Sequence, residues 1–198
     1  MDVDVDGAPN AYGPHGKPAL DIPKHAHYRG FRFAPIVGYL LDRHRHPVIQ
    51  GPHDPFPGYY VSQTAFADPD NDNERDPRSY VDARRINYVV LGDYARSHGV
   101  HLGDFVAVYS QRTHRAVFGI VGDSGNPSGD EGSLHLLRAL GYPFHNGVDD
   151  SVTHSEIVIR FYPGSNPQHQ FFFTQRALNR AAEKLGLSRD FSASPPQP

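Results

Sequence analysis

The sequence predicts a mainly β fold, a compact barrel or sheet carrying two modest helices. Three observations predict it. The 198 residues contain 19 glycines and 18 prolines, a content that suits short strands joined by many turns rather than a helical bundle. Short apolar segments recur between those turn residues, the best of them with β-branched and aromatic side chains. With 11 Tyr and 12 Phe the chain can fill one core, and its length suits a single domain.

Taken in order, Asp2 to Asp6 reads as a short alternating strand followed by a Gly/Pro-punctuated coil. Pro35 to Leu41 is apolar and reads as a buried strand. Residues 42–57 hold Arg43-His44-Arg45-His46 and several prolines, a surface loop. Tyr59-Tyr60-Val61-Ser62 is β-prone, and Asp68 to Asp76 is an acidic loop. Asn87 to Leu91 is a strand, and Phe105–Tyr109 and Ala116–Val121 are two more, joined by the polar link Gln111-Arg112-Thr113-His114. Ser133 to Leu140 reads as a helix stopped by Gly141. Ile157 to Tyr162 is a strand ending at Pro163-Gly164. Thr174 to Leu185 has apolar residues at Leu178, Ala181, Ala182 and Leu185, a helical spacing stopped by Gly186. The predicted domain is 1–190, with 191–198 a disordered tail.

Composition removes whole classes of function. Nineteen Lys and Arg against 22 Asp and Glu leave no basic excess for nucleic acid, and no apolar run has the length of a membrane span. The absence of cysteine excludes disulfides, thiol catalysis and Cys-ligated zinc. The expectation is a monomer without a cofactor. The opening Asp2-Val3-Asp4-Val5-Asp6 shows no charged-then-apolar leader.

Four patterns carry possible chemistry. Asp2-x-Asp4-x-Asp6-Gly7 starts like a calcium loop, but the twelfth position is Gly13 instead of a bidentate Glu. As a strand it puts three carboxylates on one face, either a solvated edge or a carboxylate row lining a cleft. Asp68-Pro69-Asp70-Asn71-Asp72-Asn73-Glu74 alternates too, yet lacks the Gly of a calcium loop and reads as a hydrated loop. The pairs His25/His27 and His44/His46 could each share a face, but nothing marks a third ligand for zinc, so no metal site is expected. The fourth pattern is Ile120-Val121-Gly122-Asp123-Ser124-Gly125, followed by Gly129-Asp130-Glu131-Gly132-Ser133. It places Asp123 at the end of an apolar strand and Glu131 at the start of a helix, with glycines that let a polymer approach. Such a pair could flank a glycosidic bond; equally, Asp123 could nucleate a turn while Ser128 or Asp130 caps the helix. No Gly-x-Ser-x-Gly elbow surrounds Ser124, so a Ser-His-Asp triad has no support.

These residues and their neighbours resemble the fungal-type chitosanases of glycoside hydrolase family 75. The resemblance runs through Asp4-Val5-Asp6-Gly7, Tyr59 to Ala65, Tyr80-Val81-Asp82-Ala83, Tyr88 to Leu91, Leu102 to Tyr109, Gly119 to Gly125, Glu131-Gly132-Ser133 and Arg160 to Ser165. It implies a six-stranded double-psi β-barrel-like core with peripheral loops and a C-terminal helix. It also implies inverting endo-hydrolysis of a β-1,4-linked glucosamine polymer, with Asp123 and Glu131 as the catalytic pair. By the same resemblance Asp4, Asp6, Tyr60, Thr64 and Asp104 contribute to the substrate cleft, and the enzyme acts outside the cell, its leader removed or its export left to a dedicated system.

On that basis Glu131, expected in a first helical turn, would be the base, and Asp123, partly buried, the acid. Asp130, beside Glu131, would raise the pKa of both. Thirteen histidines turn the chain positive in mild acid, which opposes a polycationic chitosan. A more acetylated polymer, with peptidoglycan foremost, is therefore the alternative substrate, and a bacterial antibacterial effector the matching biology. A non-catalytic glycan-binding barrel is the alternative from another class.

Overall fold

The computed structural model describes residues 1–28 and 36–192. Among them, six strands form one mixed sheet: β1 (Asp2–Asp4), β4 (Tyr88–Leu91), β5 (Phe105–Ser110), β6 (Arg115–Ser124), β7 (Glu131–Ser133) and β8 (Ile157–Phe161). A separate two-stranded ribbon pairs β2 (His27–Tyr28) with β3 (Ile36–Val37). Three α-helices, α1 (Asp93–Ser97), α2 (Leu134–Ala139) and α3 (Gln175–Lys184), and a short 3-10 helix at Pro77–Ser79 complete the inventory of the described residues. The mainly β expectation holds. The order in the large sheet is β1-β7-β4-β6-β5-β8, with β1 and β8 at its two edges.

The centre of the sheet follows directly from the sequence. All four residues of β4 are buried, as are Val106, Ala107 and Val108 of β5, so these near-continuous apolar runs are covered on both faces. β5 and β6 pair from Phe105↔Ile120 to Ser110↔Arg115. Their link turns because His114 adopts a left-handed backbone (φ 56°) and Ser110 Oγ accepts the Thr113 N–H at 3.2 Å. Around this centre one core cluster reaches from Val3 in β1 to Ala182 in α3.

Several boundaries differ from the sequence expectation. The first strand stops at Asp4, because the Asp4 carboxylate accepts the Asp6 N–H at 2.7 Å and folds the chain into a turn. Gly7 completes that turn at φ 74°, and a Cβ there would collide with the Val81 carbonyl oxygen. The apolar run 35–41 is no single buried strand. Ile36–Val37 joins the ribbon, whereas Tyr39 and Leu41 make isolated bridges to Ser62 and Pro47, and Pro35 lies outside the described residues. Tyr60 and Ser62 likewise pair singly, with Ile49 and Tyr39.

The helix expected from Ser133 begins at Leu134. Ser133 is its N-cap and closes β7, its Oγ accepting the Leu136 N–H at 3.1 Å. The sequence gives no sign of α1, since five residues are too few to show a helical period. In α3 Leu178 and Ala182 are buried as the spacing predicts, but Leu185 is 55% exposed, because the helix has ended at Lys184. Thr174 Oγ1 caps α3 by accepting the Ala177 N–H at 3.2 Å. Thr174→Ala should therefore cost about 1 kcal/mol, read as a fall of roughly 2–4 °C in Tm. An unchanged Tm would show that the cap contributes nothing. Beyond residue 190, Phe191 stacks on Tyr109 at 5.3 Å with Arg160 over its ring, and residues 193–198 lie outside the described ones.

Candidate functional site

A pocket of about 560 Å³ opens where the two parallel strand pairs end. β1 runs parallel to β7 with Asp2 opposite Glu131, and β4 runs parallel to β6 with Val90 opposite Asp123. Alternation in β1 sends Val3 into the core, as it does Val5 just beyond the strand, and turns Asp2 and Asp4 toward the pocket. The turn after β1 adds Asp6, a second turn adds Asp21 and His25, and the segment before β8 adds Asp149 and Asp150. Eight carboxyl groups thus line one concavity in a chain whose formal charge is only -3.

Asp4, Asp6 and Asp123 form the tightest group, each offering an oxygen within 4.8 Å of the other two. Asp123, 7% exposed, is held by two backbone donors: Oδ1 accepts the N–H of Ala65 at 2.7 Å and of Ser124 at 2.8 Å. Burial pushes its pKa well above the usual carboxyl range, and the charge of Asp4 pushes the same way, against those two N–H groups. Asp6 is driven well up by burial and then by Asp4 and Asp123, while its Oδ1 accepts the Tyr12 hydroxyl at 2.6 Å. Asp4 rises to about 6, chiefly by burial, and Glu131 to about 7 by burial and then by Asp4. Behind this group the fully buried Tyr88 donates its hydroxyl to the Asp6 carbonyl at 2.9 Å. Gly38 is a wall at which any Cβ would run into the Asp6 carboxylate.

Two expectations about this pair need correction. Glu131 is in strand β7 and not in a helical first turn, so no helix dipole acts on it. Nor is Asp130 a source of raised pKa through its own protonation. Its carboxylate accepts from Ser128, and from Asn126 at 2.8 Å, and these bonds lower its pKa, although its charge still raises that of Glu131. Ser128 and Asp130 cap this loop rather than a helix.

Of the other residues named from the sequence, Asp4 and Asp6 reach the pocket, and Tyr60, Thr64 and Asp104 do not line it. Thr64 Oγ1 donates to the Phe66 carbonyl at 2.7 Å and accepts the Val81 N–H at 3.0 Å, fixing the loop that aims Ala65 at Asp123. The Tyr60 ring packs on Tyr39 at 5.1 Å, and Tyr39 lies 5.5 Å from Tyr12, so Tyr60 stands two rings behind the carboxyls. Asp104, 3% exposed, accepts the His101 N–H at 2.8 Å within its own turn. His25 is in a turn, bonded to Asp21, so it does not share an extended strand with His27. His44 and His46 sit exposed around Asp42, away from the pocket.

Sequence reasoning missed Tyr12, Asp21, Tyr88, Asp149 and Asp150. Only Tyr88 falls in a block singled out from the sequence, and there as part of a strand; for the others the acidic dipeptide before β8 was the one available signal.

A cation is the other thing three close carboxyls can hold. Calcium takes six to eight oxygens; here Asp4 and Asp6 each already have an oxygen engaged by a protein donor. The expected result is therefore that a chelator leaves Tm unchanged. A Tm that falls on chelation and returns with calcium would assign the group to a cation. No family model matches the chain, and no curated protein matches it.

Proposed function

We propose that this protein is an inverting endo-glycoside hydrolase acting on a β-1,4-linked glucosamine polymer, with Asp123 as general acid and Glu131 as general base, on a double-psi barrel-like sheet. The observation that carries the reading is the meeting of buried carboxyls with separated proton affinities in an open, acidic pocket. Asp123 is buried and crowded, and so retains its proton in the range where a leaving glycosidic oxygen needs one. Glu131, raised to about 7, lies outside the tight three-carboxyl group. Inversion requires a base set back across a water, about 6.5–9.5 Å from the acid, and members of the tight group are too close together for that. Asp4 and Asp6 then serve to hold the proton on Asp123. The excess of carboxyls suits a substrate bearing ammonium groups.

The test is release of reducing ends from chitosans of graded acetylation and from purified peptidoglycan. Release that rises as acetylation falls is the expected result. Release from peptidoglycan alone would keep the carboxyl pair and move the substrate to the cell wall. Binding without release from any polymer would make the protein a glycan-binding module.

A further inference from the structure

Asp21 and His25 form a pair at the pocket wall that acid–base hydrolysis by Asp123 and Glu131 does not use. Asp21 is 7% exposed and His25 42%. Asp21 Oδ1 accepts the Ile22 N–H at 2.6 Å and stands 2.8 Å from His25 Nδ1. An ionised carboxylate only accepts, so Nδ1 carries a proton, and the ring nitrogen left for the pocket is Nε2. No described residue bonds Nε2. The same arrangement fixes ring orientation wherever a buried carboxylate backs an imidazole whose other nitrogen meets a ligand.

The surroundings give this nitrogen a distinctive role. Asp4, Asp6, Asp149 and Asp150 line the same pocket and, when ionised, can only accept hydrogen bonds. Among the described lining residues His25 is the one side chain able to carry positive charge. Ammonium groups on a glucosamine polymer find carboxylates on every other side. An acetamido carbonyl, a pure acceptor, is not served by these carboxylates; besides neutral donors such as the Ser124 and Ser151 hydroxyls, the lining offers it the His25 ring, the one donor there that can also carry positive charge.

We infer that His25, held by Asp21, is the specificity residue that admits an N-acetylated sugar, its Nε2–H donating to the acetamido carbonyl. This rests on the glycan-cleft reading above, and it concerns which units of the polymer the cleft accepts rather than how the bond is broken.

Calorimetric binding to Asp123→Asn protein, which holds substrate without turnover, separates the two claims. The probes are the glucosamine hexamer and its fully N-acetylated counterpart, and the quantity read is the ratio of their dissociation constants. Adding His25→Ala should shift that ratio against the acetylated hexamer by about tenfold or more, the range for a hydrogen bond from a charged donor. His25→Gln, whose amide still donates, should restore most of it. An unchanged ratio, or a Gln variant no better than Ala, overturns the inference. A shifted ratio in a protein whose native form cleaves neither chitosan nor peptidoglycan leaves the inference standing and removes the hydrolase reading. Cleavage with an unshifted ratio does the reverse, and binding of neither hexamer removes both.

Discussion

Asp123→Asn should lower kcat on chitosan by about 10²–10⁴-fold while leaving the protein as stable as before or more so. The asymmetry follows from the geometry. The carboxyl is buried and protonated in the working range, so Asn replaces a neutral group with a neutral group of the same shape. Its Oδ1 can still accept from Ala65 and Ser124. What disappears is the transferable proton. Glu131→Gln should cost a similar factor for the opposite reason, since an amide cannot take a proton from water. The two are told apart by leaving group. A substrate whose aglycone departs without protonation should recover much of its rate in Asp123→Asn and little in Glu131→Gln. The native pH profile should rise as Glu131 loses its proton, near pH 7, and fall once the Asp123 group is deprotonated. Both limbs are macroscopic, because four carboxyls share the site. More than a tenth of native kcat remaining in Asp123→Asn would remove this residue as the acid.

The sequence announces some of this site and hides the rest, for physical reasons. β4, β5 and β6 are legible because strands covered on both faces are written as unbroken apolar runs. Asp123 is legible as the polar residue that ends such a run. Glu131 stands beside the next helix, as its position in the sequence suggests, but outside it. The three residues of β7 carry no periodicity, and their strand exists because β1, more than a hundred residues earlier in the chain, and β4 lie on either side of it. Asp4 and Asp6 alternate with apolar residues, which fixes their face without saying whether that face meets solvent or a cleft. Asp21 and His25 are invisible as a pair because nothing in the sequence marks the turn that brings both to the pocket. Thr64, which the resemblance places in the substrate cleft, does not line the pocket; its hydroxyl fixes the loop whose Ala65 N–H bonds Asp123.

The carboxyl group should also make the fold less stable as pH rises. A carboxyl whose pKa is higher in the folded than in the unfolded state binds more protons when folded. Stability is then full below the unfolded pKa and is lost as pH climbs through the folded one. Asp4 moves from 3.8 to about 6 and Glu131 from 4.5 to about 7, with Asp6 and Asp123 driven further, so the loss runs from about pH 4 to beyond pH 7. Surface carboxylates such as Asp42 and Asp76, whose pKa values are lowered, act below that window, where acid removes their contribution. His135, lowered by burial, works in the opposite direction below about 6.5, as the neutral ring is favoured in the fold. Several carboxyls outweigh one imidazole, so Tm should be higher at pH 5 than at pH 8. Asp6→Asn should flatten that slope and raise Tm at pH 8 by roughly 2–8 °C, on the order of 1–2 kcal/mol, since Asn can still accept the Tyr12 hydroxyl. A Tm that rises from pH 5 to pH 8, or an Asp6→Asn protein less stable at pH 8 than the native one, would mean that the group is neutralised in some other way, by a bound cation before all. On the proposed mechanism, the fold tolerates this repulsion at the place where the proton it holds on Asp123 would be used.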